Sequence, residues 1–352
     1  MSINVLCWEG YGDPLVLKQY ERAGGGSVRT HSHFSDFAAA QGVLGNPGAW
    51  DVLNINSPFV RDYLHPRGRI RELDADRFHS LLETGPMPAA FKELGQWGFS
   101  AAGEIIGVCQ RFGPFNLVVN TNAISVAAAE DQGFDLVADQ RHCGRYGILA
   151  YDDFNVFHIA IACGLDPFEA QTEAAIAGFG AQATRWFAGA RLVTTNHREL
   201  NRALINCDIA FYLGGGIYTA SCARRDGHPE IRAITPRKGP MRGRGGIAFV
   251  EVNAVLADAP AAAEAETFLA SLLDPETARN AALAGHAANP VLQMSNPKVL
   301  PLFSKEMLDA MQWDTLEEEL GRCAQYRIAP DYRRLHTLLV SARAAAGWSA
   351  IK

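Results

Sequence analysis

The sequence lacks a membrane-spanning run, a strong excess of one charge and a regular cysteine pattern. No apolar stretch approaches the roughly 18 residues that a transmembrane helix needs. Lys and Arg together number 32 and Asp and Glu 38, so the net charge is −6 and no positive field favours nucleic acid or an anionic membrane. The 7 scattered cysteines include no CxxC pair and no zinc-ligand spacing, which argues against a disulfide framework and a structural metal site.

The N-terminal sequence also lacks the marks of export. Met-Ser-Ile-Asn-Val-Leu has no basic n-region, and no small-residue cleavage site follows it. We therefore expect no export signal in this chain, and the free cysteines are typical of a reducing compartment.

What is present is a chain of 352 residues that is 48% hydrophobic, enough for about two domain-sized cores. Short β-type runs alternate with helical stretches, which predicts a mixed α/β protein with parallel strands and ligand-facing loops at the strand ends. Strands are predicted at 3–6, 27–30, 50–55, 117–120, 147–151, 207–213 and 247–253. Helices are predicted at 35–44, 155–162, 167–187, 198–205, 259–273 and 331–346, with further helices starting at Pro14 and Pro275.

A series of segments, in order from residue 4 to residue 290, resembles the type II periplasmic binding proteins. The likeness is to the spermidine/putrescine branch of the solute-binding proteins of ABC transporters. The segments are Asn4–Tyr11, Trp50–Phe59, Val119–Thr121, Gly147–Asp153, Gly245–Glu251, Phe268–Glu276 and His286–Pro290. The resemblance implies an α/β fold of two lobes, each a mixed, mostly parallel sheet flanked by helices, with a ligand cleft between them. The expected boundaries are 1–110 plus 246–310 for lobe one, 111–245 for lobe two, and 311–352 for C-terminal helices packing across the lobes.

The same resemblance implies which residues contact the ligand. Carboxylates would neutralise ammonium groups, and aromatic faces would pack on methylenes. The positions carried over are Trp8, Glu9 and Tyr11 on one wall, Ser57 and Phe59 on a second, Asp152 and Asp153 from the other lobe, and Phe249 and Glu251 on the return strand.

One departure from the family bears on the charge of the ligand. Where the family has a tryptophan, this chain reads Tyr212-Leu213-Gly214-Gly215-Gly216. Such a loop exposes backbone N–H groups suited to phosphate or carboxylate, with Gly215 as a candidate ligand residue, or it is a tight turn with close backbone packing. A group of cations either forms a solvated face or meets an anionic part of the ligand: Arg237, Lys238, Arg242, Arg244 and Arg322.

The predicted function is capture of a small amine-containing molecule, polyamine-like or zwitterionic, by hinge closure for ABC-type uptake. We expect no catalytic residue, cofactor or metal. The expected partners are the small-molecule ligand and a transporter permease, with no nucleic acid, and the chain is expected to be a monomer. The resemblance implies a periplasmic location, whereas the missing signal makes the cytoplasm the alternative.

Two other functions stay open at this point. The first is a cytosolic enzyme on the same fold, in which Cys7 acts as a nucleophile with His31 or His33 and with Arg111 nearby. The second is a ligand sensor without transport, which would use the same cleft.

Overall fold

The computed structural model describes residues 2–82 and 89–348. The chain divides into two compact units: unit 1 comprises residues 1–112 and 249–308, and unit 2 comprises residues 113–248 and 309–352. The chain thus passes from one unit to the other at residues 112–113, 248–249 and 308–309. The segment 311–352, predicted to pack across the lobes, belongs to unit 2.

Strands and helices alternate along most of the chain. The strands are β1 Ile3–Cys7, β2 Val28–Ser32, β3 Val52–Asn56, β4 Val108–Asn120, β5 Tyr146–Leu149, β6 Leu192–Thr194, β7 Phe211–Gly216, β8 Ile231–Ile234, β9 Gly246–Val255 and β10 Cys323–Gln325. The helices are α1 Pro14–Arg22, α2 Asp36–Gly45, α3 Ala75–Leu82, α4 Ala89–Gly95, α5 Val126–Gln132, α6 Asp152–Ala162, α7 Glu173–Gly189, α8 His197–Ile205, α9 Ile217–Arg225, α10 Ala262–Ser271, α11 Pro275–Leu283, α12 Lys305–Ala310, α13 Leu316–Gly321 and α14 Tyr332–Ala345.

The sheet of unit 1 brings several strand ends to one edge. β1 pairs in parallel with β2 and with β3, and β3 pairs antiparallel with β9 so that Asn56 lies opposite Glu251. Because parallel strands end at the same edge, Cys7 and Asn56 come to that edge from β1 and β3. The antiparallel β9 brings Glu251 to the same place. The strand pairing of unit 1 therefore brings Cys7, Asn56 and Glu251 to one edge of the sheet.

Helix caps in unit 1 follow directly from the sequence. Asp13 accepts the backbone N–H of Leu15 at the start of α1, and Ser35 accepts that of Ala38 at the start of α2. Both residues supply the side-chain oxygen that a first turn lacks. On the core side, the ring of Tyr20 packs edge-on against Phe268 with centroids 5.5 Å apart.

Unit 2 contains a second group of paired strands. β5 lies between β6 and β7 with all pairings parallel, and β7 and β8 both pair antiparallel with β4. The three residues of β10 pair in parallel with the first residues of β9. The helix α14 packs on α6 and α7, and the acids of the first turn of α6 face α14.

The predicted mixed α/β character is confirmed, and most of the predicted elements exist within a few residues of their predicted ends. The interpretation of Gly214–Gly216 as a loop is wrong, because β7 continues through Gly216. No helix in the part of the chain that the structure describes is long and apolar enough to span a bilayer.

Candidate functional site

The edge of the sheet at which β1 and β3 end, called the strand edge of unit 1, carries several buried polar side chains. Asn54, Asn56, Ser57 and Glu251 are all buried there. Burying polar groups costs free energy unless hydrogen bonds replace those lost to water. We therefore expect most of these buried side chains to have hydrogen-bond or ion-pair partners.

A buried ion pair is the central feature of this edge. Nε and Nη2 of Arg111 each lie 2.9 Å from Oε2 of Glu251, and the two side chains are only 4% and 8% exposed. The Nη1 group donates to the backbone carbonyl of Glu9 at 2.8 Å. The guanidinium also covers the ring of Tyr11, with its carbon 4.3 Å from the ring centroid. Glu251, predicted to meet a ligand ammonium, is thus already half of a charge pair.

Tyr11 packs against the Arg111 side of this ion pair. Its side chain is fully buried, and burial raises the pKa of its hydroxyl above the ordinary value. The ring therefore stays neutral and offers its negative face to the guanidinium, a cation–π contact that strengthens as water is excluded. Sequence reasoning placed Tyr11 against the ligand, whereas the structure places its ring against Arg111.

Trp8 is held by the first residue of a neighbouring helix. Its indole N–H donates to Oδ1 of Asp36 at 3.1 Å, and its backbone N–H donates to Oδ1 of Asn54 at 3.1 Å. Asp36 also accepts the side-chain amide of Asn56 at 2.7 Å. Nothing in the sequence indicated that Asp36 belongs to this site. Its carboxylate fixes the half-buried Trp8 ring at the strand edge.

Ser57 and Phe59 follow β3 as predicted. The hydroxyl of Ser57 is buried and has no hydrogen-bond partner among the residues that the structure describes. Phe59 is buried and opens a π-helical turn, Phe59–Leu64, with its ring edge-on to Tyr63 at 6.0 Å between centroids. Phe249 is buried on β9, two residues before Glu251.

Cys7 lies at this edge but is poorly suited to nucleophilic attack. Burial raises the pKa of its thiol to about 12, against a smaller lowering by Arg111, so the thiol stays protonated at neutral pH. His33 directs Nε2 to the carbonyl of Asn54 at 2.8 Å, and His31 packs edge-on against Trp50 at 4.8 Å between centroids. The geometry therefore does not favour the enzyme alternative.

In unit 2 the two predicted acids have partners on α14. Asp152 accepts hydrogen bonds from Nε2 of His336 at 3.0 Å and from Nη2 of Arg343 at 3.2 Å. Burial alone would raise the pKa of Asp152, but these two contacts outweigh it and hold the pKa below the ordinary value. Asp153 accepts the hydroxyl of Tyr332. Both carboxylates tie α6 to α14.

The triple glycine is a site of close backbone packing. Gly215 and Gly216 pair with Asn116 and Phe115 of β4. A Cβ on Gly216 would lie 2.4 Å from the carbonyl oxygen of Pro114, which is far inside contact distance. The close backbone packing offered for this segment is therefore present, but in a strand and not in a tight turn, and contact of Gly215 with a ligand stays a prediction.

The cations considered for an anionic ligand lie mostly on the surface of unit 2. Arg322 and Arg237 both bind Glu130, each at 2.6 Å. The side chains of Lys238, Arg242 and Arg244 are exposed. This distribution is that of a solvated face.

No protein-family model and no curated protein sequence matches the chain. Solved structures do match it over nearly its whole length. A Listeria monocytogenes protein assigned to spermidine/putrescine ABC transport has a TM-score of 0.76 at 11% identity, covering 98% of this chain and 99% of that one. The Tp0655 (TpPotD) lipoprotein of Treponema pallidum has a TM-score of 0.69 at 13% identity, covering 98% and 99%.

A third structure extends the range of ligands seen on this fold. The binding protein MotA from A. tumefaciens, solved in complex with glucopine, has a TM-score of 0.62 at 13% identity, covering 99% of this chain and 100% of that one. Together these likenesses show that the chain has the fold of type II periplasmic binding proteins, and the predicted fold class is confirmed.

Proposed function

We propose that this chain is a solute-binding protein that captures a small amine-containing molecule for uptake by an ABC transporter. The fold likeness supports the general role. The observation that carries the choice of ligand is the buried pair of Arg111 and Glu251 at the strand edge of unit 1.

The pair favours a zwitterion over a polyamine. A polyamine needs unpaired carboxylates for its ammonium groups, yet Glu251 binds Arg111, Asp152 binds Arg343 and His336, and Asp153 accepts Tyr332. A ligand with one ammonium and one carboxylate matches a pair of opposite charges without adding net charge to a buried place. The amine would face Glu251 and the carboxylate would face Arg111.

The neighbouring side chains have distinct roles in this proposal. The Ser57 hydroxyl, buried without a partner, donates to or accepts from the ligand. Trp8, Phe59 and Phe249 supply apolar surface for the ligand body, and Tyr11 orients the guanidinium of Arg111. Glu9 completes the set of proposed contacts in unit 1. The predicted contacts of Asp152, Asp153 and Gly215 with a ligand are not part of this proposal, because the two carboxylates bind α14 and Gly215 packs against β4. A permease of the transporter is the proposed protein partner, and the proposed location is the periplasm.

Titration calorimetry on the purified chain tests the proposal. The panel contains γ-aminobutyrate and 5-aminovalerate as zwitterions, lysine and ornithine as net cations, glutamate as a net anion, and putrescine and spermidine as polyamines. Glu251→Gln should weaken the binding of the best zwitterion by about 30-fold or more, since removing one partner of a buried charge pair costs roughly 2–5 kcal/mol. Glu266→Gln is the matched control, because Glu266 binds Arg71 at 3.0 Å in a partly exposed pair of the same unit.

Ser57→Ala provides a second variant that preserves the charge pair. We expect it to weaken the same zwitterion by about tenfold through loss of one hydrogen bond. Equal affinity in Glu251→Gln, Ser57→Ala and the control would overturn the assignment of the site.

A further inference from the structure

Asp36 is a buried carboxylate beside the proposed zwitterion site. It is the first residue of α2 and is fully buried, whereas Asp is seldom buried without partners. The positive end of the helix dipole stabilises a carboxylate in this first turn. The chain brings it here because β2 pairs in parallel with β1, and the backbone N–H of His33 then donates to the carbonyl of Cys7 at 3.0 Å. The start of α2 therefore lies at the strand edge of unit 1.

The two oxygens of this carboxylate join the end of β3 to the residue that follows β1. Oδ2 accepts the side-chain amide of Asn56 at 2.7 Å, and Oδ1 accepts the backbone N–H of Asn56 at 3.2 Å. Oδ1 also accepts the indole N–H of Trp8 at 3.1 Å. Asn56 is the last residue of β3 and lies opposite Glu251 of β9. The carboxylate thus fixes the Trp8 indole relative to the strand position that is paired with Glu251.

Two further contacts limit the movement of Trp8. Its backbone N–H donates to Oδ1 of Asn54, and the ring of His33 lies against the indole with centroids 4.6 Å apart. Nε2 of His33 is itself held 2.8 Å from the carbonyl oxygen of Asn54. The bond from the indole N–H to Asp36 adds a directional contact at the far side of the ring, so it sets the rotation of the ring.

We propose that Asp36 is a positioning residue for ligand binding that acts through Trp8. The inference rests on the proposed function, in which the Trp8 ring supplies apolar surface for the body of a zwitterion. A ring whose rotation is set before the ligand arrives loses less conformational freedom on binding. An asparagine has the same shape as Asp36, but one of its two terminal atoms is a donor, so the bonds to Trp8 and Asn56 cannot all be kept.

Calorimetric titration of the variant Asp36→Asn with γ-aminobutyrate and 5-aminovalerate tests the proposal. We expect the affinity for the better of the two to fall about tenfold, the effect of losing one hydrogen bond to a charged acceptor.

Asp51→Asn is the matched control. Asp51 is also a buried carboxylate of unit 1, and it accepts the backbone N–H groups of Asn4 at 2.8 Å and of Ala261 at 2.7 Å. It directly precedes β3 and so lies at the opposite end of that strand from Asn56. The control variant should therefore change the stability of the protein but not its affinity for the zwitterion.

The variant Trp8→Phe shows whether Asp36 acts through the indole. It removes the indole N–H, keeps an aromatic ring, and should weaken the same zwitterion about tenfold. In the Trp8→Phe background, Asp36→Asn should add at most about twofold, because Asp36 then has no indole to orient. Fully additive losses would overturn the proposal, since additivity is the behaviour of independent sites. So would an unchanged affinity in Asp36→Asn, or an equal loss in Asp51→Asn.

Fluorine NMR of the unliganded chain gives a readout that depends on no ligand. With 5-fluorotryptophan at all 6 tryptophans, the Trp8 signal is the one that Trp8→Phe removes. It should shift in Asp36→Asn and keep its position in Asp51→Asn. An unchanged Trp8 signal in Asp36→Asn would overturn the proposal, whether or not a zwitterion binds. A shifted Trp8 signal without any zwitterion binding would overturn the proposed function, while supporting the link between Asp36 and Trp8.

Discussion

At the scale of single residues, Arg111 and Glu251 form a buried ion pair in which each side chain is the partner of the other. Removing one partner leaves a charge without compensation, which typically costs about 3–5 kcal/mol. Glu251→Ala should lower the free energy of unfolding by that amount in urea denaturation. The control Glu266→Ala should cost about 1 kcal/mol or less, since its pair with Arg71 is partly exposed.

The double variant Arg111→Met/Glu251→Leu sharpens this prediction. It replaces both charges by apolar side chains, and it should be more stable than Glu251→Ala alone. A Glu251→Ala variant no less stable than Glu266→Ala would contradict the description of the pair as buried and mutually dependent.

The cysteines give a second prediction at this scale. Only the thiolate reacts readily with iodoacetamide, and burial raises the pKa of Cys7 to about 12. In peptide mass spectrometry at pH 8, the exposed Cys143 and Cys207 should be alkylated first, and Cys7 should stay unmodified in the folded protein. Modification of Cys7 as fast as that of Cys143 would revive the enzyme alternative.

Glu319 gives the molecule a pH-dependent stability. It is buried in unit 2 and accepts hydrogen bonds from Thr235 at 3.0 Å and from Gln312 and Thr315 at 3.2 Å. Burial raises its pKa from 4.5 to about 7, although Thr235, Arg232 and Thr315 lower it in part. The folded state therefore holds this proton more tightly than the unfolded state, so the stabilisation is complete below about pH 4.5 and is lost as the pH rises through 7.

The variant Glu319→Gln mimics the protonated side chain and checks this linkage. Its melting temperature should exceed that of the natural chain at pH 8 and approach it at pH 5. A difference of equal size at both pH values would show that Glu319 does not titrate in this range.

At the scale of elements, the end of β7 depends on the absence of side chains. A Cβ on Gly216 would clash with the backbone of Pro114, whereas a Cβ on Gly178, in the exposed middle of α7, would meet open space. Gly216→Ala should therefore destabilise the protein by about 1–3 kcal/mol through overpacking. Gly178→Ala should stabilise it by about 0.5–1 kcal/mol through the better helix propensity of alanine. Chemical denaturation of both variants measures these two changes in the free energy of unfolding. Equal changes would contradict the packing described for β7.

Local sequence signals predicted the elements where those signals are strong. Asp13-Pro14 and Asp274-Pro275 mark the starts of α1 and α11, where the aspartates accept backbone N–H groups of the first turn. The short strands β6, β8 and β10 were missed, because three or four residues carry little periodicity. Pairing with longer strands, rather than local propensity, forms them.

Dependence on long-range strand pairing also explains which parts of the candidate site could be predicted from the sequence. Family-like segments pointed to the neighbourhood of Trp8, Ser57 and Glu251, because Trp8 and Ser57 directly follow recognisable strands and Glu251 lies within one. The partner of Glu251 could not be predicted, since Arg111 is 140 positions away in the sequence and only the sheet brings the two together. From the sequence, Arg111 is a candidate only for a catalytic group with Cys7.

At the scale of the whole molecule, the fold is that of type II periplasmic binding proteins, while the charges differ from those expected of a polyamine site. Unit 1 carries a buried pair of opposite charges at its strand edge, and the predicted acids of unit 2 bind its own C-terminal helix. The proposal of solute capture rests on the fold, and the proposal of a zwitterionic ligand rests on the charge distribution.

The measurement that tests the central claim most directly is the affinity of the purified chain for γ-aminobutyrate and 5-aminovalerate compared with putrescine. Each of the two zwitterions carries one ammonium and one carboxylate, whereas putrescine carries two ammonium groups and no carboxylate. We expect at least one of the two zwitterions to bind more tightly than putrescine, with the advantage lost in Glu251→Gln and kept in Glu266→Gln. Tighter binding of putrescine than of either zwitterion would contradict the account.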